Sequence, residues 1–140
     1  MYTALDLSKY IVSKCKKDNH PISNLQLQKI LYYIQKEFLK KGSAAFLDEI
    51  EAWQFGPVVP GVYYHFCGFG AMPIFNSCDD YLINTEDASA IDRIIEEKRV
   101  LDPWVLVAET HKPGGAWERI YNHGQGNRQI IPVELIEAVG

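Results

Sequence analysis

Apolar positions recur with helical spacing through the first third of the chain and then break into shorter pieces separated by proline and glycine. Leu7, Ile11 and Cys15 fall at i, i+4 and i+8, with Ser8, Lys9, Lys16 and Lys17 on other faces, and Thr3 followed by Asp6 reads as a capping box. This predicts a first helix that stops before His20-Pro21, because a residue preceding proline is pushed out of the α region. The next start is the clearest in the chain: Ser23 caps, Gln26 completes the box at N3, and Ile22 staples to Leu27. In that second helix Leu27, Ile30, Leu31, Ile34 and Phe38 form one stripe, Lys29, Tyr33, Lys36 and Lys40 the opposite face, and Gly42 the stop. Gln28, Tyr32, Gln35 and Leu39 lie on a flank between them that is neither plainly core nor plainly solvent.

Beyond residue 42 the periods shorten. Ile50 to Phe55 reads as a short strand or extended segment, with Gly56-Pro57 as its turn. Pro60 opens a short helix through Val62, Tyr63 and Phe66, Cys67 to Pro73 reads as loop, and Tyr81 to Ile83 as a second short strand. Thr85 caps a helix whose stripe is Ala88, Ile91, Ile94 and Ile95, with Glu86 and Asp87 at the positive end of its dipole. Asp102-Pro103 starts another helix, to about Thr110, which Pro113-Gly114-Gly115 ends. Trp117 to Tyr121 gives a further turn or two, Gly124 to Asn127 a loop, and Pro132 a terminal helix with Leu135, Ile136 and Val139. The sum is a mainly α, single compact multi-helix domain spanning residues 1–140, with at most a short two-stranded β element.

Composition agrees: 140 residues with 47% hydrophobic and 23% charged positions suit one globular domain that builds its core without metal or disulfide staples. The longest apolar runs, Ile30–Ile34 and Trp104–Ala108, are far short of the roughly 20 residues a membrane span needs. With no basic n-region and apolar h-region at the start, and three unpatterned cysteines, the expectation is a cytoplasmic protein with free thiols. The net charge of −4 divides unevenly, residues 1–42 carrying +5 and residues 43–140 carrying −9, which points to a macromolecular partner.

Candidate chemistry is sparse. The nucleophile-elbow, zincin and phosphate-loop motifs are absent, and Gly68-Phe69-Gly70 reads as loop. His65, Cys67, Cys78 and His111 have the right donors for zinc but no closed-site spacing, and a thiol enzyme built on Cys67 with His65 or His111 needs tertiary contacts that spacing does not supply. The lysines Lys29, Lys36 and Lys40, with Lys9, Lys14, Lys16 and Lys17, match the charge of a phosphate backbone, but no arginine precedes Arg93, so a solvated face is favoured over nucleic acid, with an acidic protein partner as the third reading. The expectation is a non-enzyme with no cofactor and no metal.

Three blocks carry a resemblance. They are Ser23-Asn-Leu-Gln-Leu-Gln-Lys-Ile-Leu-Tyr-Tyr-Ile-Gln35, then Glu49-Ile-Glu-Ala-Trp-Gln-Phe-Gly-Pro-Val-Val-Pro60 with Val62-Tyr63, then Thr110-His111 with Trp117 and Asn127. In their order and spacing the chain resembles the Panacea-domain antitoxins of bacterial and phage genomes. The resemblance implies a mainly helical domain that binds a cognate toxin protein and blocks it. It also admits an adaptor that presents its partner to a protease complex. A DNA-binding regulator is the competing class, although the resembling domain fills the chain and leaves no room for a separate helix-turn-helix.

On this reading Gln28, Tyr32, Gln35, Trp53, Phe55, Gly56, Pro57 and Tyr63 form a toxin-binding surface, with Tyr and Trp as low-entropy anchors. The competing reading puts Tyr32, Trp53, Tyr63 and Trp117 in the core and leaves Gly56 and Pro57 only a turn to shape. Residues 68–80 lie outside the three blocks that carry the resemblance and are a second place where partner choice can reside.

Overall fold

A computed structural model describes residues 1–76 and 79–140. Cys78, weighed above as a thiol and a zinc donor, lies outside the described residues. Seven α-helices are present among them: α1 (Ala4–Lys17), α2 (Asn24–Lys40), α3 (Pro60–Phe66), α4 (Thr85–Arg99), α5 (Pro103–Thr110), α6 (Ala116–Tyr121) and α7 (Val133–Val139). A small sheet contains β1 (Glu51–Trp53), β2 (Gly56–Val58) and β3 (Gln129–Ile130) in the antiparallel order β2-β1-β3.

The organising element is α2. Its capping box is complete, with the Ser23 side chain accepting from the Gln26 N–H and the Gln26 side chain accepting from the Ser23 N–H at 3.0 Å. Helices α1, α3, α4, α5 and α7 and strand β2 all pack on it. Leu27, Ile30, Leu31 and Ile34 are fully enclosed, each burial stabilising the fold by about 1.5–3 kcal/mol. A helix packed over most of its circumference buries its polar flank too, and Asn24, Gln28, Lys29 and Gln35 are all buried. Lys29, expected on a solvated face, is therefore corrected to a core position, which interrupts the proposed lysine stripe.

Four further expectations change. Gly56 and Pro57 are not the turn after the first strand; they form β2, paired Trp53↔Gly56 and Ala52↔Pro57, and the connection is Gln54-Phe55. Proline is tolerated there because β2 is an edge strand and needs no outward N–H. The sheet gains a third strand, β3, too short to show a period, which registers Glu51 against Ile130. Tyr81 to Ile83 forms no ladder, and Tyr81 instead sets its ring edge-on to Tyr10 with centroids 5.5 Å apart. The cap of α4 is Asn84, one residue before the Thr85 expected.

Candidate partner-binding site

The buried polar side chains of α2 hold the loops around it by their backbone. Gln28 accepts the Val59 N–H at 2.9 Å and donates to Asn24 Oδ1, while Asn24 donates to the Tyr63 carbonyl at 3.1 Å. Gln35 accepts from Ala45 N–H at 2.8 Å and donates to Phe46 O at 2.9 Å, fixing the segment that Tyr2 bridges. Lys29 donates to the Pro57 carbonyl at 3.1 Å. Such bonds are short-range, and satisfied in a dry interior they pin a backbone firmly. The hairpin and α3 are thus fixed from behind by α2.

Gly56 is where this attachment is tightest. Its φ is +114°, and a Cβ there would stand 2.8 Å from both Lys29 Cε and Thr110 Oγ1. Glycine meets both demands, the left-handed backbone and the close approach. Behind it, His111 stacks on Trp117 at 3.6 Å, Trp117 stacks on Tyr121 at 4.6 Å, and Trp117 Nε1 donates to the Trp53 carbonyl at 2.8 Å.

What this scaffold presents outward is aromatic. Trp53 meets Tyr63 at 5.0 Å and Tyr64 at 6.0 Å between centroids, and Phe55, at the hairpin tip, meets Trp104 of α5 edge-on at 5.2 Å. Phe55 is 46% and Trp104 58% exposed, unusual for such large rings. The Arg128 guanidinium lies 4.2 Å over the Trp53 ring and donates to Tyr64 Oη at 3.0 Å. Between these groups runs a groove of about 530 Å³, with Leu25 and Val58 in its apolar lining and Gly70-Ala71 on one wall.

Of the eight residues expected at a partner surface, Phe55 is exposed and Trp53 and Tyr63 are half-buried beside it. Gln28, Tyr32, Gln35, Gly56 and Pro57 are buried. The structure therefore separates them into an outward aromatic group and an inward group that carries the backbone beneath it, Tyr32 and Gln35 standing further along α2. Trp104, Tyr64 and Arg128 went unnoticed in sequence. Trp104 alone left a signal, since it precedes the Leu106–Val107 pair that α5 buries.

Burial sets the electrostatics. It pulls the Lys29 ammonium down to about 7 and raises the Tyr32 hydroxyl to about 12. His111 is lowered by burial first and by the Lys29 charge second, and its Nε2 has no hydrogen-bond partner among the described residues. The other donors weighed for zinc stand elsewhere: Cys67 is exposed, and His65 packs edge-on to Phe66 at 4.7 Å. Among the described residues no group of three or more His, Cys, Asp or Glu side chains is placed to hold a metal ion, and no helix is long and apolar enough to cross a membrane.

Comparison with known proteins places this arrangement. The family model for the antitoxin SocA-like Panacea domain matches residues 27–118, from α2 to α6. Antitoxin SocA of Caulobacter vibrioides (strain NA1000 / CB15N) is 33% identical over 132 residues, 85% of this chain and 70% of that protein. No solved structure matches. The segment matched by the family model contains Gln28 and Gln35 of α2, the β1–β2 hairpin, α3 and α5, and the chain belongs to the SocA-like antitoxin family and carries its Panacea domain.

Proposed function

We propose that the chain is the antitoxin of a toxin–antitoxin pair and neutralises its cognate toxin by direct binding through the aromatic face. The observation that carries this is the pair Phe55–Trp104, two large rings open to solvent, Phe55 standing on a hairpin whose backbone the buried Lys29 and Gln28 of α2 fix from behind. Rigid aromatic anchors around a groove are what a protein interface concentrates its energy in, because they bury much area at little entropic cost. Trp53, Phe55 and Tyr63 touch the toxin on this reading. Gln28, Gly56 and Pro57 support them, and Tyr32 and Gln35 keep α2 and its loops in place.

The test is co-expression with the protein encoded by the neighbouring gene, scoring growth and the amount of that protein. Wild-type chain is expected to restore growth while the toxin persists in a co-purifying complex. Phe55→Ala with Trp104→Ala is expected to abolish both rescue and complex while leaving a folded chain. Rescue accompanied by loss of the toxin would assign the protease-adaptor role instead.

A further inference from the structure

The groove has a sign. Of the Lys, Arg, Asp and Glu side chains among the described residues, two line it, Lys29 and Arg128, and both are basic. Its remaining polar lining includes the amides of Asn24, Gln28, Gln54 and Asn127. This runs against the sign of the molecule as a whole, whose net charge is −4.

Arg128 is held where it is at some cost. Its φ is +66°, a conformation unusual for a side chain other than Gly, Asn or Asp. The Arg128 N–H donating to the Ala52 carbonyl at 2.7 Å keeps it there, just before β3 joins the sheet. The guanidinium is further fixed by the Trp53 ring and Tyr64 Oη. The Glu51 carboxylate, whose charge acts on Arg128, is taken by Trp53 Nε1 at 2.9 Å. Among the described residues Arg128 makes no ion pair. A planar five-donor fork, oriented in advance, near the Glu51 charge but in no ion pair, is a specific donor site for a carboxylate.

We infer that the groove takes an acidic, apolar-tipped segment of the toxin, an apolar side chain entering between the Trp53–Tyr63 and Phe55–Trp104 pairs while an Asp or Glu of the same segment pairs with Arg128. This rests on the antitoxin reading and adds to it the chemistry of the partner. The aromatic rings supply area, and the exposed arginine selects among partners by charge, since a basic segment in the same place meets repulsion from a cation that docking would strip of water.

The experiment measures the affinity of the purified chain for the protein encoded by the neighbouring gene, at about 50 and about 300 mM salt, so that surface charges are screened in one condition far more than in the other. Wild type, Arg128→Gln, Arg128→Lys and Phe55→Ala are compared after their thermal melts show each to be folded. Arg128→Gln is expected to weaken binding about tenfold at low salt and to flatten the salt dependence, with Arg128→Lys in between. Phe55→Ala is expected to weaken binding similarly at both salts. A complex that Phe55→Ala disrupts but Arg128→Gln leaves at wild-type affinity and salt dependence overturns the acidic-segment inference and leaves the antitoxin reading standing. No complex with any chain overturns both. Binding of a labelled single-stranded RNA oligonucleotide that Arg128→Gln removes would give the groove to nucleic acid and overturn the inference as well.

Discussion

Lys29→Met is the most informative single change, because Lys29 is an ammonium in the core with one acceptor, the Pro57 carbonyl. Burial pulls it from the ordinary 10.5 to about 7. Between those values the unfolded chain binds a proton that the folded chain releases, so folding is penalised and stability rises with pH. The penalty is nearly complete below pH 7 and gone above 10.5. At about 1.4 kcal/mol per unit, it shrinks by about 3 kcal/mol between pH 7 and pH 9.5. Methionine fills a similar volume with no proton to lose, at the cost of the bond to Pro57 O, about 1–3 kcal/mol. Urea unfolding of both proteins at the two pH values is expected to show wild type gaining about 3 kcal/mol on Lys29→Met between pH 7 and pH 9.5. A gap that is the same at both pH values would refute the reasoning, since Lys29 would then carry its charge folded as it does unfolded.

Other consequences follow from the same contacts. Gly56→Ala combines a φ of +114° with a Cβ 2.8 Å from Lys29 Cε and Thr110 Oγ1, and is expected to destabilise by about 2–4 kcal/mol in thermal or urea melts. Gln35→Ala leaves the Ala45 N–H and Phe46 carbonyl without their partners, an expected loss of about 2–3 kcal/mol with faster hydrogen exchange at Ala45 and Phe46. Phe55→Ala with Trp104→Ala removes two exposed rings, and is expected to move the melting temperature by no more than a few degrees while reducing toxin affinity at least tenfold.

The helices were legible because their ends are written locally. Ser23 with Gln26, Asp102 with Pro103 and Gly42 announce starts and stops within four residues of the bonds they make. The side of α2 that carries Gln28, Lys29 and Gln35 was not legible, because periodicity gives the angle of a side chain about its helix and not the number of neighbours around it. With six elements packed on α2, angles that would face water in a surface helix face protein instead. Gly56-Pro57 read as a turn because both residues punctuate chains, whereas Gly56 is there to let Lys29 and Thr110 approach. The aromatic face joins Phe55 to Trp104 and Trp53 to Arg128, partners separated by at least 49 positions, and contacts of that range leave no local trace.

A toxin seated on the aromatic face must shield that backbone from solvent, which hydrogen exchange of the chain with and without its toxin reads residue by residue. Binding is predicted to slow exchange at Gln54 and Phe55, at Tyr63 and Tyr64, and at Trp104 and Val105, with the outer face of α4 around Arg93 and Glu97 unchanged. Protection confined to α4, with the hairpin tip and the start of α5 exchanging as in the free chain, would contradict it.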